Sequence, residues 1–307
     1  MAASEEKPRL IIIGTGAMAC LFGARLASVA HVTLIGSWAE GIAAIRASGI
    51  VVEETGGSTV AHVATAEWPA DLEPADLVLV LVKAWQTQGI AGHLPRLLKP
   101  GGVALTLQNG LGNLEVLGAS ACLGVTYQGA TLLGPGRVQP AGAGPTWIAG
   151  PAWVVPLFRG AGIAADPCDP RQAEGLLWGK LAANCGINAL TALLRVHNGE
   201  LLRRPDAMLL MQRAALECAA VARAKGIALP FPDAAEKACE VARLTAANRS
   251  SMLQDVARGA PTECDAINGT VVRWGARLGV ATHVNEILFR MVRALVSMPS
   301  AAPDGGV

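Results

Sequence analysis

The stretch "RLIIIGTGAMACLFGARLA" constrains the fold more than any other feature of the chain. It passes from a β-branched run through a glycine turn into a helical pattern. Gly14 permits a tight turn, and Gly16 lets the backbone approach a pyrophosphate at the helix start. This order predicts a dinucleotide-binding βαβ unit, with an ordinary βα turn as the alternative. The expected cofactor contacts in the turn are Gly14, Thr15, Gly16, Ala17, Met18 and Ala19.

The first half of the chain alternates apolar, strand-length runs with segments of helix length. The expected strands are residues 9–13, 31–35, 77–82, 103–107, 124–131 and 146–149, the last two separated by the turn-rich "GPGRVQPAGAG". Such alternation favours a parallel, doubly wound sheet. After "ADPCDP" helical patterns dominate. We therefore expect an α/β fold, with a Rossmann-type domain over residues 1–170, an all-helical domain over 171–298 and a disordered tail over 299–307.

Composition argues against several classes of function. Twenty-five basic and 24 acidic residues give a net charge of +1, which disfavours a nucleic-acid surface. Although 52% of residues are hydrophobic, the apolar runs are far shorter than the roughly 20 residues that span a bilayer. The start "MAASEEKPRL" does not resemble a secretory signal. Seven scattered cysteines and five dispersed histidines predict neither a disulfide framework nor a metal site, and we expect a cytoplasmic protein.

The end of the second strand bears on the choice of dinucleotide. "HVTLIG" runs into Ser37 and Trp38, where an acidic residue would bind the 2′-hydroxyl of NAD. The small residues there leave room for a 2′-phosphate, which Ser37 could hydrogen-bond. This favours NADP, while the lack of a neighbouring arginine leaves NAD open.

Two further polar positions follow buried strands. Lys83 comes after "LVLVLV", and Asn109-Gly110 comes after "ALTLQ". Ligands of open α/β sheets bind outside the carboxyl ends of the strands, so both positions are expected to face the ligand. Taken alone, Lys83 also fits a solvated loop lysine, and Asn109-Gly110 fits a plain turn.

A polar stripe marks the apolar segment "GLLWGKLAANCGINALTALL". Its members are Lys180, Asn184, Asn188 and Thr191, at spacings that place them on one helical face. The alternative is the solvated side of an amphipathic helix, but asparagine disfavours helix. The stripe therefore indicates a surface that hydrogen-bonds a polar ligand. Lys180, with a reference pKa of roughly 10.4, would donate a proton to a carbonyl, and a low-dielectric cleft would lower its pKa.

The segment "SSMLQDVARGAPTECDAING" predicts two helices that meet near residues 259–261. Thr262 and Asp265 fit a loose capping pattern. Glu263 is expected to share a face with the apolar stripe of its own helix and to lead that stripe. A carboxylate in that position needs a buried partner, for which Lys180 is the expected one. By itself Ser251 is an ordinary helix serine. The stripe is formed by Ile267, Val271, Trp274 and Leu278; Asp255 and Asn268 stay ambiguous.

Together these segments resemble the ketopantoate reductase (2-dehydropantoate 2-reductase) family over about residues 9–295. The motifs are "GTGAMA", "VKAWQT", "LQNGLGN", "GVTYQGATLLGPG", "KLAANCGINALTAL" and "NRSSMLQDVARGAPTECDAING". The resemblance implies a Rossmann-type domain joined to a helical domain like the C-terminal domain of 6-phosphogluconate dehydrogenase, with the active site between them. It also implies NADPH-dependent reduction of ketopantoate, a 2-oxo acid, to pantoate in pantothenate biosynthesis.

The resemblance also implies roles for individual residues. Lys180 would be the general acid, and Asn109 would touch both substrate and nicotinamide. Lys83, Ala130 and Glu263 would lie at the cofactor. Glu263 would also lie near Lys180. The residues implied to hold the hydroxyl and carboxylate groups of the substrate are Asn184, Asn188, Asn198 and Ser251. The missing basic residue after the second strand departs from the family pattern.

Two other hypotheses remain open. The chain could act on another 2-oxo acid, with NAD as a further option. It could also be a non-catalytic dinucleotide-binding sensor, which would need the glycine turn but neither the polar stripe nor Glu263. The only expected partners are a small 2-oxo acid and, given the apolar helical domain, a second copy in a homodimer.

Overall fold

A computed structural model describes residues 7–296, and its contacts divide the chain into two compact units. The amino-terminal unit runs to Gln108 and includes Gly112–Ala173. The helical unit comprises Asn109–Leu111 and the residues from Glu174 onward. The predicted tail at 299–307 lies outside the described residues. Within residues 7–296, no helix is long and apolar enough to cross a bilayer, and no cluster of histidine, cysteine or acidic side chains could hold a metal ion.

One mixed sheet organises the amino-terminal unit. Its order is β4-β3-β9-β8-β7-β6-β1-β2-β5, with β10 beside β9. Strands β7, β6, β1, β2 and β5 are parallel neighbours, as in a Rossmann-type sheet, which confirms the predicted fold class. The strands are β1 (Arg9–Ile13), β2 (His31–Gly36), β3 (Ile50–Glu54), β4 (Gly57–Ala61), β5 (Ala64–Glu67), β6 (Ala75–Val80), β7 (Leu98–Thr106), β8 (Ala121–Gly134), β9 (Arg137–Ala149) and β10 (Ala165–Pro167).

The sheet departs from the predicted all-parallel arrangement on the other side of β7. Strand β8 pairs antiparallel with β9, and β3 with β4. The turn-rich stretch "GPGRVQPAGAG", predicted to separate two strands, is itself mostly strand, because β8 extends to Gly134 and β9 already begins at Arg137. Register shifts along the β8–β9 pair accommodate its glycines and prolines as bulges. Strands β4 and β5 escaped prediction because they are largely exposed and carry no apolar run.

Helices cover both faces of the parallel strands. Leu10 and Ile12 of β1 enter one core with Phe22, whereas Ile11 and Ile13 enter another. Burial on both faces explains why β1 is an unbroken apolar run rather than an alternating one. The helices of this unit are α1 (Ala17–Leu26), α2 (Ala39–Ser48), α3 (Thr87–Ala91), α4 (Leu94–Leu97), α5 (Asn113–Leu117) and α6 (Val154–Gly160).

The helical unit has its own core, to which Trp178 and Leu181 of the long helix α7 contribute. As predicted, its described residues form helices and no strand. They are α7 (Pro170–Leu194), α8 (Pro205–Ala224), α9 (Ala234–Leu244), α10 (Ser251–Ala257), α11 (Asn268–Leu278) and α12 (His283–Val296), with a 3₁₀ helix at Asn198–Arg203.

A buried amide network connects four of these helices. Asn268 donates through Nδ2 to the Cys185 carbonyl (2.9 Å) and to Asn285 Oδ1 (3.0 Å). Asn285 donates to the Ala214 carbonyl (3.0 Å) and to Glu217 (2.8 Å). Glu217 also accepts the backbone amides of Val284 and Asn285, which begin α12. The ambiguous Asn268 therefore has a packing role that sequence spacing does not indicate.

Candidate active site

The glycine turn follows β1 at the carboxyl edge of the parallel strands. The Gly14 amide donates to the Ile35 carbonyl of β2 (2.8 Å), and the Leu81 amide donates to the Ile13 carbonyl (2.9 Å). Gly14 has a φ of +132°, and a Cβ there would lie 3.0 Å from the Leu81 carbonyl oxygen. Only glycine fits this position without strain.

The start of α1 has the properties of a phosphate site. Gly16 is exposed, and a Cβ on it would meet no atom within 4 Å. No side chain caps α1, and its first turn carries no acidic residue. The first amides of the helix and its dipole therefore suit an anion. Of the other predicted contacts, Thr15 and Ala19 are buried, and Ala17 and Met18 are half-buried.

The other predicted cofactor residues of this unit differ in placement. Ser37 is exposed directly after β2, and Lys83 is half-buried three residues beyond the end of β6. Because β2 and β6 flank β1 in parallel, both residues lie at the edge that carries the glycine turn. Ala130 lies inside β8, opposite Pro140 of β9, rather than at a strand end.

The polar stripe of α7 goes from partial to complete burial. Lys180 and Asn184 are half-buried, Asn188 is 6% exposed and Thr191 is 0% exposed. The alternative of a solvated helix side is therefore wrong for Asn188 and Thr191. Buried polar side chains at this spacing need hydrogen-bond partners from the protein or from a ligand.

Lys180 and Glu263 interact electrostatically. Burial lowers the pKa of Lys180 from 10.5 to about 8, and the negative charge of the buried Glu263 opposes that shift. Lys180, the predicted partner of Glu263, is thus close enough for the Glu263 charge to affect its pKa. An ammonium group with a pKa near the working pH is suited to proton transfer.

The prediction that Glu263 leads the apolar stripe of its own helix is wrong, because α11 begins only at Asn268. The backbone carbonyl of Glu263 accepts the backbone amides of Ala266 and Ile267 (both 3.0 Å). The Gly269 amide donates to the Cys264 carbonyl (2.9 Å). Ile267, with φ −99° and ψ −94°, departs from helical dihedrals. A wide turn over residues 263–267 therefore holds Glu263 ahead of α11.

The capping prediction for Thr262 and Asp265 is also wrong. No side chain caps α11, whose preceding residue is Ile267. Asp265 instead uses its backbone carbonyl, which accepts from Thr270 Oγ1 (3.2 Å) and Arg273 Nη2 (2.8 Å). At the other end of the predicted stripe, Leu278 is 37% exposed.

Asn109-Gly110-Leu111 packs on the same wide turn. The Leu111 amide donates to the Ala266 carbonyl (3.1 Å). Gly110 has a φ of +79°, and a Cβ on it would lie 2.6 Å from that same oxygen. The close approach requires glycine, so Asn109-Gly110 is more than a plain turn. It places the half-buried Asn109 beside the segment that carries Glu263.

Asn198 has an unsatisfied acceptor. This residue is 7% exposed and starts the 3₁₀ helix. Its backbone N–H donates to the Asn248 carbonyl (3.0 Å), and its side-chain Nδ2 donates to Thr245 Oγ1 (2.9 Å). Its Oδ1 is buried and has no hydrogen-bond partner. Because an unsatisfied buried acceptor costs about 1–3 kcal/mol, a hydroxyl donor from a ligand would be stabilised here.

Sequence reasoning missed Ser250, although a serine just before a helix is a recognisable capping signal. Ser250 Oγ accepts the Leu253 amide (3.1 Å) and lies 2.7 Å from Thr191 Oγ1. The predicted Ser251 is the half-buried first residue of α10. The ambiguous Asp255 is 1% exposed and pairs with Arg258 at 2.8 Å, which indicates a packing role.

The predicted residues thus fall into two groups. The amino-terminal unit holds the glycine turn with Ser37 and Lys83 at one sheet edge. Within the helical unit, Lys180 interacts electrostatically with Glu263, and the segment that carries Asn109 packs on the 263–267 turn. The end of the α7 stripe, at Thr191, contacts Ser250 just before α10. The amino-terminal unit therefore offers a helix start suited to an anion, and the helical unit offers a surface of charged and hydrogen-bonding side chains.

Comparison with known proteins finds family models that match both parts of the chain. Residues 10–152 match the family model described as "Ketopantoate reductase PanE/ApbA", and residues 172–296 match "Ketopantoate reductase PanE/ApbA C terminal". A 2-dehydropantoate 2-reductase of Halobacterium salinarum is 36% identical over 301 residues, covering 93% of this chain and 98% of that protein.

Two solved structures extend the comparison. A PanE/ApbA family ketopantoate reductase from Ralstonia eutropha is similar with a TM-score of 0.86 and 33% identity, covering 94% of this chain and 98% of its own. A D-mandelate dehydrogenase, solved with NADH and anilino(oxo)acetate, has a TM-score of 0.87 at 26% identity and the same coverage.

Proposed function

Because the chain belongs to the ketopantoate reductase family, we propose that it reduces 2-dehydropantoate (ketopantoate) to pantoate, a step of pantothenate biosynthesis. The observation that carries this proposal is Lys180, a half-buried lysine whose pKa is about 8 and whose charge is supported by Glu263. A non-catalytic dinucleotide sensor has no need for such a pair.

The chemistry proposed for the chain is proton donation to the substrate oxygen. The bound nicotinamide dinucleotide supplies the hydride for the C2 carbonyl carbon. Lys180 protonates the oxygen that becomes the C2 hydroxyl. With a pKa of about 8, Lys180 is largely protonated at neutral pH and still acidic enough to release its proton. Glu263 favours that protonated form.

The substrate contacts that we propose come from side chains of the helical unit. Asn184, Asn188 and Ser251 supply donors for the carboxylate. The unsatisfied Oδ1 of Asn198 accepts a hydroxyl proton. That acceptor favours a 2-oxo acid that carries a hydroxyl group, as ketopantoate does, because a substrate without one leaves the oxygen unsatisfied.

For the cofactor we propose NADPH, held by the glycine turn and the start of α1. Ser37 follows β2 where an acidic residue would repel a 2′-phosphate, and Lys83 offers a positive charge at the same sheet edge. Asn109, Ala130 and Glu263 complete the proposed contacts. The likeness to a dehydrogenase solved with NADH keeps NADH as the competing cofactor.

A panel of 2-oxo acids, each assayed with NADPH and NADH, tests the proposal. The expected result is the highest kcat/KM for ketopantoate with NADPH. A clear preference for 2-oxo acids that lack the hydroxyl would instead favour a 2-hydroxy-acid dehydrogenase, the alternative that the likeness to D-mandelate dehydrogenase suggests. Dinucleotide binding without turnover of any 2-oxo acid would support the sensor hypothesis.

We also propose a cytoplasmic homodimer. The helical unit exposes apolar side chains around a cavity of about 370 Å³, namely Leu194, Leu210, Ile287 and Met291. Exposed apolar clusters of this kind favour association. Light scattering is expected to give twice the monomer mass of 31.5 kDa, and a monomer across the micromolar range would contradict the proposal.

A further inference from the structure

Two buried hydroxyl groups connect α7 to the start of α10. Thr191 Oγ1 and Ser250 Oγ lie 2.7 Å apart, and the two residues are 0% and 6% exposed. Thr191 Oγ1 also lies 2.6 Å from the Ile187 carbonyl oxygen, and Ser250 Oγ accepts the Leu253 amide at 3.1 Å. Neither residue has a part in the reaction proposed above.

Thr191 is the donor side of this pair. Thr191 Oγ1 is placed to donate to the Ile187 carbonyl (2.6 Å), to the Asn188 carbonyl (3.1 Å) and to Ser250 Oγ (2.7 Å), and its single proton is shared among these acceptors. Ser250 Oγ also accepts the Leu253 amide (3.1 Å). The two hydroxyl groups therefore connect the first turn of α10 to the backbone of α7.

Each member of this pair is close in sequence to a residue that is proposed to bind substrate. Asn188 lies three residues before Thr191 on the same helical face, and its carbonyl is 3.1 Å from Thr191 Oγ1. Ser251 directly follows Ser250 as the first residue of α10. The hydroxyl pair therefore determines how the backbone that carries Ser251 is held against the turn of α7 that carries Asn188.

We propose that Thr191 and Ser250 are positioning residues for substrate recognition, which align Ser251 with Asn188. This inference rests on the proposed function, because it requires Ser251 to bind the 2-oxo acid. It differs from a purely structural role, in which the pair would add stability to the helical unit without affecting any one ligand.

Thr191→Val tests the inference, since valine keeps the shape of threonine and removes the hydroxyl. We expect the KM for ketopantoate to rise about tenfold, the scale of one lost hydrogen bond, with kcat lowered by at most about threefold. The KM for NADPH is expected to stay unchanged. Thr191→Ser, which retains the hydroxyl, should restore most of the substrate affinity. Ser250→Ala removes the other end of the pair and substitutes for Thr191→Val if that variant fails to fold.

A double-mutant cycle with Ser251→Ala separates positioning from stability. If Thr191 acts through Ser251, Thr191→Val should add little to the KM of the Ser251→Ala enzyme. Thr146→Val is the matched control, because it removes a buried hydroxyl pair with Thr126 (2.9 Å) in the amino-terminal unit. That control should lower Tm without changing the KM for ketopantoate.

The outcomes distinguish this inference from the proposed function. An unchanged KM in Thr191→Val, or additive effects in the cycle, would overturn the positioning role while normal turnover keeps the proposed function. If the unaltered enzyme turns over no 2-oxo acid, both the positioning role and the proposed function are wrong.

Discussion

The two units differ in the kind of surface that each offers to a ligand. In the amino-terminal unit the surface is mostly backbone: the open position of Gly16 and the first amides of α1. In the helical unit it is made of side chains, with Lys180 and Glu263 as the charged pair. A backbone surface accepts any pyrophosphate, whereas a side-chain surface selects the reaction and the substrate. We therefore expect substitutions in the helical unit to change the reaction rate or the binding of the 2-oxo acid, and those at the glycine turn to change the binding of the dinucleotide.

The sharpest test of this contrast is Lys180→Ala. Loss of the general acid is expected to lower kcat by roughly 100-fold or more, the usual contribution of such a group. Steady-state rates at saturating substrate measure the effect, and fluorescence titration should show unchanged NADPH binding. Near-normal turnover would remove Lys180 from the mechanism.

Glu263→Gln tests the electrostatic part of the same surface. Reduction requires protonated Lys180, so the rate of the unaltered enzyme should fall as pH rises through about 8. Without the charge of Glu263, the pKa of Lys180 is lowered further and this fall moves to lower pH. We expect a loss of roughly tenfold at pH 8 to 9 and a smaller one at pH 6.

Glu217→Gln is the matched control, because it also removes a carboxylate from the helical unit. Glu217 caps α12 and has no resolved effect on Lys180. It should lower Tm and leave the pH–rate profile in place. If the pH–rate profile of Glu217→Gln also shifts, the shift seen in Glu263→Gln is not specific to the charge of Glu263.

A pair of glycine substitutions tests the backbone surface. Gly16→Ala enters open space, so Tm should stay unchanged while the KM for the dinucleotide rises about tenfold, because the methyl group occupies the path of the pyrophosphate. Gly14→Ala meets the Leu81 carbonyl at a φ of +132° and should destabilise the fold by about 1–3 kcal/mol. Equal effects of both variants on Tm would contradict the assigned geometry.

The smallest expected effect concerns cofactor preference. Ser37→Arg adds a charge where β2 ends and should lower the KM for NADPH by about fivefold, with little change for NADH. Ser37→Gln supplies a polar side chain of similar reach without the charge. If both variants behave alike, the 2′-phosphate does not lie near residue 37.

How well the sequence predicted each region follows from the range of the interactions. Spacing alone placed Lys180, Asn184 and Asn188 on one face, since helical periodicity is local. The late start of α11 was not predictable from periodicity, because it depends on the backbone of Ile267 and on the approach of Leu111 to Ala266. Asn268 stayed ambiguous because its partners, Cys185 and Asn285, are distant in sequence.

The bulges of β8 and β9 escaped prediction for a related reason. Their glycines and prolines are local turn signals, which cross-strand pairing overrides. Burial is likewise a tertiary property. The stripe of α7 could be recognised as polar, but only packing shows that Thr191 is its deepest member and that Ser250 is its partner.

The assignment of Asn109–Leu111 to the helical unit has a consequence for recombination within this family. A chimaera joined once, near residue 173, would take these three residues from one parent and the 263–267 turn from the other. The clearance at Gly110 and Ala266 leaves no room for an added methyl group on the glycine. Halves exchanged between two parents should therefore work together only if both parents have glycine at position 110 and a small residue at position 266.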